Sequence, residues 1–175
     1  MITKDIDVFL SCSFSATDVA VNELVTGVCN GLHLACVNVG AGFSSIPPEK
    51  AREYISSAEG LIAIVTVRDR LENGEFIMPA AVREEISIAY GLCKRILILG
   101  ENGVRFDGFM NNYCTRLPFM REDLTRPAFI EKLVNTIFTF RQEIAGSKTA
   151  APNYATEYFS ESTRTMVTLD YDGTG

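Results

Sequence analysis

"LIAIVTV", residues Leu61 to Val67, is apolar at every position except Thr66. A strand with one wet face alternates apolar and polar residues, whereas a run without alternation has both faces covered. Outward from this run the same pattern recurs. "DIDVFLSC" (5–12), "LACVNV" (34–39) and "RILILG" (95–100) read as further strands, and "NNYCTRLPFM" (111–120) holds a short fifth. Helical spacing fills the intervals. In "SATDVAVNELVTGVCNGL" (15–32) the apolar residues Val21, Leu24, Val25, Val28 and Leu32 share a face, and Ser15 and Asp18 have capping-box spacing. A second helix runs from Pro48 to about Ala58, a third over "PAAVREEISIAYGL" (79–92), and a last over "RPAFIEKLVNTIFTFRQEIAG" (126–146). Alternating strands and helices predict a parallel sheet with helices on both faces. Ligands of such sheets sit at the carboxyl ends of the strands. Three loops there matter for function: "SCSFSAT" (11–17), "GAGFSSIPP" (40–48) and "RDRLENGEFIMP" (68–79).

Bulk properties exclude several classes. The 175 residues suit one domain, and 47% hydrophobic with 22% charged residues is ordinary for a globular chain. A net charge of −6 disfavours nucleic acid or an anionic membrane surface as partner. No apolar run approaches bilayer length, and the acidic start "MITKDIDVFLSC" does not read as a signal peptide. Five widely spaced cysteines without a CxxC, and a single histidine, predict no metal site; they read as reduced thiols of a cytoplasmic protein. His33 stands at a helix-to-strand corner away from the three loops, where a capping or surface role is expected. That leaves no histidine for a catalytic triad. "GAGFSS" (40–45) partly mimics a dinucleotide fingerprint but follows the second strand, lacks the third glycine and is separated from its helix by two prolines.

Residues 1–146 are read as the domain and 147–175 as a polar, Ser- and Thr-rich tail or linker. The final "MVTLDYDGTG" resembles the strand-plus-aspartate start of haloacid dehalogenases. The chain stops three residues after Asp172, so it reads as a chance match or as the first strand of a domain not present here.

The third helix carries adjacent glutamates. At about 100° per residue, Val82, Ile86, Ala89 and Tyr90 mark its buried stripe, with Ile88 at the edge. Glu85 projects inside that arc; Glu84 falls opposite with Arg83, Ser87 and Gly91. A carboxylate on a buried side is paired, neutralised or turned toward a cavity. Pairing with Arg52, Arg68 or Arg70 is the structural explanation, and lining a ligand cleft the functional one.

"DVFLSCSFSATD", "ISSAEGLIAIVTVRD" and "VREEISIAYGLCKRILIL", in that order and spacing over about Asp5 to Phe140, resemble the core of Toll/interleukin-1 receptor (TIR) domains, bacterial ones in particular. The resemblance implies a flavodoxin-like parallel sheet of four to five strands with helices on both faces. It also implies cleavage of NAD, as substrate rather than cofactor, at the nicotinamide–ribose bond, giving ADP-ribose or a cyclised signal, as in antiphage defence. Glu85, followed by Ile86, occupies the family's catalytic position. Ser11, Ser13 and Phe14 fall in the loop bordering the nucleotide; Gly42 and Phe43 fall in the mobile loop; Arg68 and Phe76 complete the expected NAD contacts. The family's tryptophan before this helix and the Arg-Asp pair of its mobile loop are missing, so Phe76 or Phe43 is expected to supply the aromatic surface. Self-association through TIR–TIR contacts, and an activator or downstream effector protein, are the implied partners. A non-catalytic TIR assembly module, and a nucleoside or nucleotide N-glycosidase of deoxyribosyltransferase type, are the alternatives.

Overall fold

The structure, a computed structural model, describes residues 5–38, 48–68, 74, 76–106 and 108–146. The 147–175 tail lies outside the described residues. Five strands form one all-parallel sheet: β1 (Ile6–Ser11), β2 (Leu34–Val37), β3 (Gly60–Val65), β4 (Arg95–Glu101) and β5 (Thr115–Phe119). Their spatial order is β2-β1-β3-β4-β5. The connecting helices are α1 (Val19–Gly31), α2 (Pro48–Ser57), α3 (Ala80–Gly91), a short α4 (Phe109–Tyr113) and α5 (Pro127–Gly146).

The unbroken apolar run of β3 explains the layering. Leu61, Ile62, Ala63, Ile64 and Val65 are all fully buried, and they alternate between two cores. Ile62 and Ile64 pack with Val21, Val25 and Cys29 of α1 and with Leu133, Ile137 and Phe140 of α5. Leu61, Ala63 and Val65 pack with Ile55 of α2 and with Val82, Ile86 and Ala89 of α3. Full burial stabilises a Leu or Ile side chain by about 1.5–3 kcal/mol, so a polar residue at any of these positions would open one of the two layers. Gly60 begins the strand because α5 crosses closely: a Cβ there would meet Phe140 at 2.9 Å. Among the described residues no helix is long and apolar enough to cross a membrane.

Four details differ from expectation. Ser15 leads into a 3-10 turn, Ala16–Asp18, without a side-chain cap, and α1 begins only at Val19. Asp18 is fully buried instead of serving as a solvated capping residue. Tyr90, expected in the buried stripe of α3, is 42% exposed because α4 offers it Phe109 to stack on, at 4.2 Å between centroids. α4 itself has no apolar period long enough to show in the sequence, and it takes up the start of the segment read as the fifth strand. His33 keeps its surface role, at φ 58° with Nδ1 3.2 Å from Asp5.

Candidate active site at the carboxyl edge of the sheet

Strand order reverses between β1 and β3, the point where neighbouring connections leave on opposite faces and open a crevice. Ser11 is the last residue of β1 and lies in register with Ala63 of β3. Alternation along β1 turns Leu10 to the α1/α5 layer and Phe9 to the α2/α3 layer, and Ser11 shares the side of Phe9. It therefore faces α3, where its hydroxyl donates to Glu85 Oε2. Ser11 is 1% exposed. Glu85 is half-buried and Glu84 exposed, as the helical projection requires.

Burial holds the Glu85 carboxyl above its ordinary value of 4.5; the Ser11 hydrogen bond opposes that rise and the Glu84 charge adds to it. Among the described residues no lysine or arginine forms an ion pair with Glu85. The result is a carboxylate with one hydroxyl donor and, among the described residues, no cation paired with it, at a ligand-binding edge. Its field reaches the next thiol: burial, then Glu85, then Asp18 push Cys12 up to about 12, so Cys12 is an inert neighbour rather than a nucleophile.

Arg68 is held by Asp18 and by the Ser13 hydroxyl and is not paired with Glu85. The pairing of Glu85 with Arg68 is thereby corrected: the guanidinium is taken by the Asp18 carboxylate, which is closed off from solvent and needs a cation beside it. Ser13 is fixed further by its carbonyl, which accepts the Asn22 side-chain amide at 2.8 Å. Phe14, one residue on, is 49% exposed, with no ring stacked on it among the described residues. Phe76 goes elsewhere. It forms a backbone bridge with Val104 and helps line a cavity of about 380 Å³ with Met78, Arg83, Ser87 and Phe109. Arg83 and Ser87 are on the Glu84 side of α3, so this cavity belongs to the other flank of the helix, and among the described residues no carboxylate lines it. Gly42, Phe43 and Arg70, the last a candidate partner for Glu85, lie outside the described residues.

Residues that sequence reading passed over surround Asp18. Its Oδ1 accepts from Arg121 at 3.0 Å and its Oδ2 from the Thr66 hydroxyl at 3.0 Å. Burial alone would raise the Asp18 carboxyl; the bonds from Arg121 and Thr66 and the charge of Arg68 outweigh it and hold the group below 3.8. Arg121 also donates to both oxygens of Glu101, at 2.8 and 3.0 Å. Thr66 was visible as the one polar residue of an apolar run. Arg121 carried no local signal, since its partners Asp18 and Glu101 are 103 and 20 residues away.

Neither a protein-family model nor a curated protein sequence matches the chain. Solved structures do. A flavodoxin-like domain from Synechococcus sp. superposes with a TM-score of 0.51 at 14% identity, covering 79% of this chain and 98% of that one. The fold is flavodoxin-like. A flavodiiron core from Synechocystis sp. superposes at 0.53 with 14% identity over 83% of this chain, which spans 37% of that larger protein. A Clostridium botulinum CMP N-glycosidase aligns with a TM-score of 0.49 at 14% identity, over 74% of this chain and 98% of that one. At such identities the likeness is one of flavodoxin-like architecture alone.

Proposed function

We propose that the chain cleaves an N-glycosidic bond of a nucleotide, and that the bond is the one between nicotinamide and ribose in NAD. The observation that carries this reading is the half-buried Glu85, held by Ser11 and unpaired with any described cation, at the reversal point of the sheet. An ordinary O-glycoside needs a second carboxylic acid to protonate its leaving group. Nicotinamide in NAD is bound through a cationic ring nitrogen. When the C1′–N bond breaks, the electron pair returns to that nitrogen and nicotinamide leaves neutral, so no general acid is required. Positive charge passes to C1′ and the ring oxygen of the ribose, and one fixed carboxylate stabilises it there. Water then attacks C1′ and loses a proton to solvent or to Glu85, giving ADP-ribose; attack by an adenine nitrogen of the same molecule gives a cyclic product.

Phe14 supplies a stacking face at the mouth. The resemblance to TIR domains supports the same carboxylate, and supports an active assembly of several copies joined through the Gly40–Pro48 loop. Antiphage signalling, a protein activator and a cytoplasmic setting belong to the same reading.

The test is incubation of the purified protein with NAD, nicotinamide riboside, CMP and a deoxynucleoside, with products resolved by mass. Release of nicotinamide from NAD supports the reading. Release of cytosine with NAD untouched would replace it with a nucleotide N-glycosidase, and transfer of deoxyribose between bases with a transferase. Inertness toward all four, in dilute and concentrated protein alike, would leave the assembly module.

A further inference from the structure

Four exits from the sheet are tied together by alternating charge beside Glu85. Glu101 ends β4, Arg121 follows β5, Asp18 follows β1 and Arg68 follows β3, and each bonds the next. Glu101 also accepts the backbone N–H of Val67 at 2.9 Å, and Thr66 donates to Asp18. Thus Thr66, Val67 and Arg68, the residues by which β3 leaves the sheet, are each held. Arg68 reaches across to the Ser13 hydroxyl. Desolvating a carboxylate this completely costs several kcal/mol, and well-packed apolar residues would often stabilise such a place as well or better. Stability alone therefore does not account for the arrangement. Asp18 does not touch Glu85; the connection runs through Arg68 to Ser13, two residues beyond the serine that bonds Glu85. Both carboxylates act on Cys12, which lies between those serines.

We propose that Asp18 is a positioning residue for Glu85: by anchoring Arg68, and through it Ser13, it fixes the exit of β1 so that the Ser11 hydroxyl meets the Glu85 carboxylate in one geometry. The importance of that geometry for turnover rests on the catalytic reading of Glu85, but the positioning itself is measured without it. A double-mutant cycle of Ser11→Ala and Glu85→Ala in chemical unfolding reads the coupling between the two side chains. It is run in the wild type, in Asp18→Asn and in Ser13→Ala, which cuts the link while leaving the buried charges intact. The expected coupling is about tenfold in the unfolding equilibrium of the wild type, and about twofold or less in the other two backgrounds. A coupling that persists undiminished in either background overturns the proposal. If Asp18→Asn does not fold, the Ser13→Ala cycle decides alone. With an active wild type, Ser13→Ala also lowers kcat about tenfold while KM stays within about twofold; a change confined to melting temperature counts against positioning. A wild type that turns over no nucleotide sinks the catalytic reading of Glu85, and the unfolding cycle still decides the role of Asp18.

Discussion

Replacing Glu85 with Gln keeps the shape and one acceptor for Ser11 but removes the charge. A carboxylate oxygen about 4 Å from the anomeric carbon, at an effective dielectric of about 20, stabilises a unit positive charge by about 4 kcal/mol. NAD brings its positive charge with it, and the reaction moves that charge from the nicotinamide ring to the ribose. Only the difference between the two positions accelerates the step. The nicotinamide ring that carries the charge in NAD is centred about 3 Å beyond C1′, so at that dielectric about 1.5 kcal/mol of the interaction is specific to the transition state, corresponding to roughly tenfold in kcat. Glu84→Gln, on the exposed side of the helix, should change turnover by less than about twofold, because a solvated helix-start carboxylate contributes under about 1 kcal/mol. Stability gives an independent readout. Burial raises the Glu85 carboxyl above 4.5, so the folded state binds its proton more tightly than the unfolded chain and loses stability as pH rises from about 4.5 through the folded value. Glu85→Gln should therefore melt higher than the wild type at pH 7, and that advantage should vanish below about pH 4.5. The assay is nicotinamide release by the two variants side by side, with melting temperatures at pH 4 and pH 7. Equal turnover of Glu85→Gln and wild type, or a larger loss at Glu84, would refute the assignment.

Removing the Ser11 hydroxyl takes away the bond that lowers the Glu85 carboxyl. Ser11→Ala should therefore shift the acidic limb of the pH–rate profile to higher pH; an unmoved limb counts against the contact. Asp18 is held below 3.8, so its stabilisation is complete above that value and is lost as pH falls through the folded one. Asp18→Asn should be weaker by about 2–3 kcal/mol at neutral pH, since both arginine partners keep some solvent. It should also lose less than the wild type on further acidification, measured by urea unfolding between pH 2 and 7. Rate per protomer should rise with protein concentration if the site is completed between copies, and a flat dilution series with a monomer throughout would remove the assembly. Phe14→Ala should raise KM for NAD more than it lowers kcat, by about fivefold or more, because stacking on an exposed ring is worth about 1 kcal/mol and is present before the bond breaks.

Much of the fold was legible in one run of residues. An unbroken apolar stretch at Leu61 to Val65 demands cover on both faces, and the helical periods between such stretches supply the cover. The separation of Glu85 from Glu84 was legible for the same reason: a helix has a fixed angular step, so a residue's side follows from its number. Local periodicity carries no information about partners far along the chain. Whether Glu85 met an arginine or a hydroxyl depended on which strands became neighbours, and the order β2-β1-β3-β4-β5 placed Ser11 beside it. Arg68 was claimed by Asp18, a residue with the spacing of a helix cap, because the segments that leave β3 and β5 bring two guanidinium groups and the Thr66 hydroxyl to one carboxylate. Phe76 shows the same division. Its ring was a reasonable candidate for the nucleotide site by position in the chain, and its pairing with Val104 carried it to the other flank of α3. The sequence by itself determined the layers and the face each residue takes, since those follow from short-range periodicity. Only the tertiary structure decided which charges cancel, because that depends on distances between segments as much as 103 residues apart.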